Sequence, residues 1–297
     1  MLMSPLYAAL IGDKEIITIT ETMKQCLKDW RTIIQQILKR PISFLELIPA
    51  EPQFIGYTDS AKSAVGGAWI CSMFPFYIIW RFKWPMEIVN QLITDKNPKG
   101  SITINDLELA GVLLHWLVLE HTSPLPLKNK HVGIYCDNMS TIAWTHKKCT
   151  TTSTIAGHLL RALALRQHIN HTSPLQTVHI EGTANVMADV ISRSFDDPKF
   201  TNTNKTFLQT FNSLFPLQNN SWKEFTLPKN ITSKVISCLH GKQLKLELWT
   251  KITGQEKNIG NTGKISQKSS KFPTKYNLRN FLKIFLCFIL YAIYSLT

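Results

Sequence analysis

The sequence predicts an α/β fold, a mixed sheet covered by helices. The order of elements leads there, and composition and charge bound what the chain can be. The chain has 297 residues, 44% of them hydrophobic and 18% charged, so it can bury a sizeable core. A wholly disordered or collagen-like chain is excluded. The hydropathy pattern between residues 53 and 194 reads β-β-β-α-β-α-α-β-α. The formal charge of +13 is unevenly spread. Residues 51–198 carry 12 basic and 12 acidic groups, a neutral body, while residues 199–297 carry 15 and 3. That asymmetry fits a polyanionic partner or a solvated lysine-rich tail.

The elements follow in order. Residues 21–40 place Leu27, Trp30, Ile33, Ile34 and Ile37 at helical spacing. Pro41, Pro49 and Pro52 then make a connector. QFIGYTD (53–59), AVGGAWI (64–70) and YIIWRF (77–82) read as an antiparallel meander of three strands. In SITINDLELAGVLLHWLVLEH (101–121), Thr103 and Asp106 form a capping pair ahead of a long apolar helix. HVGIYCD (131–137) is a strand, and 138–148 and 153–169 are helices. LQTVHIE (175–181) is the last strand and NVMADVISRS (185–194) the last short helix. Residues 251–280, rich in Lys, Asn, Gly and Ser, read as disordered.

The six cysteines (26, 71, 136, 149, 238 and 287) are scattered, without zinc spacing. Reduced thiols in an intracellular compartment, cytoplasm or nucleus, are expected. No secretory leader is visible. The uncharged run 284–297 is shorter than the roughly 20 residues a spanning helix needs, so a membrane partner is not expected.

Four acids stand in odd places. Asp59 and Asp137 each end an apolar strand. Glu108 lies inside a helix that is apolar nearly all round, on the face of Ile104, Gly111, Val112 and His115. Asp189 lies in the first turns of the final helix, where the dipole favours an anion. Each has an ordinary alternative: a turn, a solvent edge, or an i,i+4 pair of Asp189 with Arg193. As a set they can converge, because the first and fourth strands can be neighbours. Clustered carboxylates repel and raise one another's pKa, and divalent cations remove that penalty. Oxygen-only ligands favour Mg²⁺ or Mn²⁺. Two such ions about 3.5–4 Å apart serve phosphodiester cleavage. The residues alone therefore point to a metal-dependent nuclease.

The segments GYTDSAKSAVGGAW (56–69), INDLELAGVLL (104–114), IYCDNMSTIAW (134–144) and VHIEGTANVMADVISRS (178–194) lie in that order. Together they resemble the ribonuclease H domain of retroelement (retrotransposon) reverse transcriptases. The order Asp, Glu, Asp, Asp matches that family's acidic tetrad. The GxxNxxADxxSR pattern of Gly182, Asn185, Ala188, Asp189, Ser192 and Arg193 is the most specific piece.

The resemblance implies a five-stranded mixed sheet, three antiparallel strands then two parallel, flanked by helices. It also implies a layout: a connection-like helical segment (1–50), a ribonuclease H-like domain (51–198) and a helical extension (199–250). A basic low-complexity tail with a short apolar end follows (251–297). The implied activity is endonucleolytic hydrolysis of the RNA strand of an RNA–DNA hybrid. Water attacks in line and leaves 5′-phosphate and 3′-hydroxyl ends. Asp59, Glu108, Asp137 and Asp189 would be catalytic and hold two Mg²⁺ (or Mn²⁺) ions, with no small-molecule cofactor. Ser60, Asn138, Asn185 and Arg193 are candidate nucleic-acid contacts, with turn and cap roles open for the asparagines. The hybrid would be read by shape and by its 2′-hydroxyls. The polymerase part of a retroelement is a possible partner, since this sequence shows no YxDD-like strand–turn–strand.

There are departures. No histidine matches the mobile-loop proton shuttle of some members: His179 falls in a strand and His171 has no better support. The basic protrusion of some cellular members is not recognisable. Lys147, Lys148, Arg161 and Arg166 read mostly as solvated helix faces, and Trp144 as core or a stacking platform. The alternative to an active enzyme is a catalytically silent remnant that binds nucleic acid through this fold and the basic tail.

Overall fold

The computed structural model describes residues 17–39, 51–71, 76–147, 153–218, 220–245, 248–249 and 275–276. In the unit spanning Ile42–Gln255, three apolar runs form the expected meander: β1 (Phe54–Ser60), β2 (Ala64–Ile70) and β3 (Tyr77–Lys83). A short helix, α1 (Met86–Val89), leads towards α2 (Ile104–Thr122). Thr103 and Asp106 cap α2 reciprocally, each side chain accepting from the other's backbone N–H. β4 (Val132–Cys136), α3 (Met139–Lys147), α4 (Thr154–Asn170), β5 (Gln176–His179) and α5 (Val186–Arg193) follow.

β1 pairs antiparallel with β2, and β2 with β3; β4 joins β1 in parallel and β5 joins β4 in parallel. The described residues make six strands in this sheet, not five. The sixth, β6 (Trp222–Glu224), lies parallel to β3 at the far edge. Three residues, two of them charged, carry no alternating pattern, so the sheet edge defines this strand and local sequence does not. The region 199–250 is thus not purely helical. Besides β6 it holds α6 (Pro198–Thr201), α7 (Phe207–Leu214) and α8 (Lys229–Leu239).

The sheet has two covered faces. On one, Ala68 and Ile79 meet Ile191 of α5, Phe207 and Phe211 of α7, and Trp222. On the other lies α2, buried from Asp106 to Leu119, with α4 and α8 packed around it. Gly111 lets α2 approach, since a Cβ there would come within 2.7 Å of Ser60 Oγ. Gly66 does the same for α5, where a Cβ would come within 2.3 Å of Ile191 Cγ2.

In the second unit, helix Glu21–Lys39 matches its predicted span, with Met23 and Cys26 buried. Ile17 and Thr18 pair antiparallel with Tyr276 and Lys275. Apart from 275–276, the tail read as disordered and the apolar run 284–297 lie outside the described residues. Among the described residues, no helix is long and apolar enough to cross a membrane. The described Cys26, Cys71, Cys136 and Cys238 are buried.

Candidate metal centre

The sheet register brings the first two acids together. The parallel β1–β4 ladder ends at Tyr57↔Tyr135, whose rings stack with centroids 5.2 Å apart. Two residues further on, side by side and on the same face as those tyrosines, come Asp59 and Asp137. α2 supplies Glu108 from the opposite face of the sheet, at the open end of the strands. There the Ser60 backbone lowers the Glu108 pKa, the smallest of the influences on it. Carboxylate oxygens of Asp59, Glu108 and Asp137 all lie within 4.8 Å of one another.

The electrostatics of this cluster are unfavourable without a counter-charge. Glu108 is 5% exposed and Asp59 7%. Burial pushes the Glu108 carboxyl well above its ordinary range, and the charges of Asp59 and Asp137 push it further. Asp59 is also raised, chiefly by burial, although a hydrogen bond from Ser192 opposes the shift. Glu108 Oε2 is buried and has no hydrogen-bond partner among the described residues. Beside them the Cys136 thiol is pushed up to about 12 by burial and by Glu108, so it is no nucleophile.

These observations fit a divalent cation. The donors are all oxygen, they converge, and one buried oxygen of Glu108 has no hydrogen-bond partner among the described residues. A hard ion of the Mg²⁺, Mn²⁺ or Ca²⁺ type suits such a set.

Asp189 stands outside the three-acid group. It lies on α5, 40% exposed, and its Oδ1 accepts from Arg193 Nε at 2.5 Å. This is the i,i+4 pair that the sequence left open. Its charge still reaches the cluster and contributes to raising Asp59.

Other candidates are engaged within the fold. Ser60 is buried and donates to Leu107 O of α2. Asn185 is buried and donates from Nδ2 to Thr58 O, tying the entrance of α5 to β1. Asn138 accepts from Thr141 N, as a cap of α3, and donates to Asn105 Oδ1. Arg193 is 67% exposed. His179 is exposed at the end of β5, and His171 is the left-handed cap that ends α4. Trp144 is half-buried.

Arg161 and Arg166 overturn the expectation of solvated helix faces, for both are buried. Arg161 donates to Leu244 O at 2.6 Å. Arg166 forms a bidentate pair with Glu120 of α2 and also donates to Trp249 O. The chain between α8 and Trp249 supplies those carbonyls, and sequence periodicity cannot reveal a cover from so far along the chain. Ser192 was also missed as an orienting group. It is fully buried on α5 and donates to Asp59 Oδ2 at 2.5 Å.

No protein-family model and no curated protein matches the chain.

Proposed function

We propose that the chain is a retroelement-derived ribonuclease H that hydrolyses the RNA strand of RNA–DNA hybrids with divalent cations. The observation that carries this reading is the convergence of buried Asp59 and Glu108 with half-buried Asp137, from three separate parts of the chain. The sheet supports it too: three antiparallel strands, then two parallel ones on the β1 side, with helices on both faces.

In this reading Asp59, Glu108 and Asp137 hold Mg²⁺, and Asp189 completes the set for a second ion. The bound ions supply an activated water and charge stabilisation at the scissile phosphate. Ser192 fixes Asp59 by donating to its Oδ2. Asn185 holds α5 against β1. The hybrid lies across the open end of β1 and β4, with its RNA strand recognised by 2′-hydroxyls.

One observation favours the second reading, a silent nucleic-acid-binding remnant: Asp189 is paired with Arg193 and is not gathered with the other three acids. A labelled hybrid incubated with the full chain and Mg²⁺ separates the two. The enzyme cuts the RNA strand, and Asp59→Asn or Asp137→Asn abolishes cutting. A folded, metal-saturated protein that leaves the hybrid intact, yet binds it with steep salt dependence, is the remnant.

A further inference from the structure

About two turns beyond Glu108 on α2, an imidazole is sunk between the helix and the sheet. His115 is fully buried. Two glycines make room for it. A Cβ on Gly56 of β1 would come within 2.0 Å of its Nε2, and one on Gly67 of β2 within 2.8 Å of its Nδ1. The ring lies flat on Trp69, with centroids 4.0 Å apart, and Trp69 Nε1 donates to the main-chain carbonyl of His115. Trp80 Nε1 of β3 donates to His115 Nδ1 at 2.7 Å. An indole N–H is a donor only, so Nδ1 presents its lone pair and the ring's one proton sits on Nε2. Nε2 is buried as well and has no hydrogen-bond partner among the described residues. A second proton would go to Nδ1, directly against the Trp80 N–H. The imidazolium would then face a donor at one nitrogen and no acceptor at the other. From β1, β2 and β3 the ring meets Gly56, Gly67, Trp69 and Trp80, none of them titratable. Burial alone holds the imidazole well below its ordinary range. Neither Glu108 and Glu120 on α2 nor Arg161, Arg166 and Lys234 on α4 and α8 contribute.

We propose that His115 is an acid-release latch: neutral, it locks α2 onto β2 and β3 through Trp69 and Trp80, and taking up a proton unseats it and loosens the helix from the sheet. The latch stands whether or not the acids bind metal. Its effect reaches them all the same, because α2 carries Glu108 while the sheet carries Asp59. The direction with pH follows from the two states. The unfolded chain takes up this proton near the ordinary histidine value of 6.5, and the folded chain does not. The stabilisation is therefore complete above that value and is lost as pH falls below it. Proton uptake by Glu108 acts in the opposite sense, favouring the folded state, so its contribution must be removed for the latch to be read alone.

The test combines two measurements on the full chain, with and without Glu108→Gln. Nitrogen-15 NMR of histidine-labelled protein should show His115 as the neutral Nε2–H tautomer at every pH at which the protein is folded. Hydrogen exchange of the α2 amides, corrected for the intrinsic rate, reads the loosening. Between pH 6 and 5 their opening constant should rise about tenfold more in the protein with His115 than in His115→Asn or His115→Phe, the weight of one proton. Asn offers Trp80 an acceptor and Phe keeps the stack on Trp69, and neither titrates. A His115 signal that titrates near its ordinary value while α2 stays protected overturns the proposal. So does an opening constant that follows pH equally with and without His115. If neither variant folds, the NMR titration decides alone, since ring contacts with Trp69 and Trp80 identify the His115 signal.

Discussion

Glu108 lies within a run buried from Asp106 to Leu119, and one of its oxygens has no hydrogen-bond partner among the described residues. Its carboxyl is raised well above the ordinary value by burial and by Asp59 and Asp137. The native state therefore holds its proton more tightly than the unfolded chain does. The stabilisation from that proton is complete below the ordinary carboxylate pKa and is lost as pH rises through the elevated one. Glu108→Gln mimics the protonated form. Without metal it should melt above wild type at pH 7, and the gap should close towards pH 4. A gap that is constant with pH would show that Glu108 is not ionised at a cost. Asp59, Glu108 and Asp137 were legible in the sequence because each acid interrupts an apolar run. Ser192 was not, since a serine on a short helix carries no mark of the Asp59 carboxylate it meets 133 residues away.

Elements defined by their own periodicity or caps were legible nearly to the residue. β2 spans Ala64–Ile70 as read, and α2 begins at the Thr103–Asp106 box. Elements defined by distant partners were not. β6 exists because β3 offers an edge, and α4 turns two arginines inward because the chain after α8 covers them. The Glu120–Arg166 pair is about 1% exposed on both side chains. Trp116 and Asn170 also donate to Glu120. Removing one member strands a buried charge, so Arg166→Met alone should cost about 3–5 kcal/mol in urea unfolding. Glu120→Leu in the same chain should recover part of that loss, because the stranded carboxylate goes with it. Additive losses in the double variant would show that the two charges do not depend on each other.

At the scale of the molecule, the sheet and its two helical faces bring together acids that lie as far as 78 positions apart in the chain, from Asp59 to Asp137. The fold class was legible because three strands, a long apolar helix and two further strands follow in unbroken order. The placement of Asp189 was not, because its pairing with Arg193 and its place in an acidic tetrad are equally compatible with the same four-residue spacing. A test of the basic C-terminal region needs a deletion that spares the sheet. Cutting at residue 198 removes β6, α7 and α8, which help cover the sheet and α2, so a cut after residue 255 is the cleaner deletion. The central claim, that the converging carboxylates of Asp59, Glu108 and Asp137 form a divalent-cation site, is tested most directly by a crystal of the full chain soaked in Mn²⁺ and measured for anomalous scattering. The account predicts a peak bonded to oxygens of Asp59, Glu108 and Asp137. Ordered carboxylates with no anomalous density between them would contradict it.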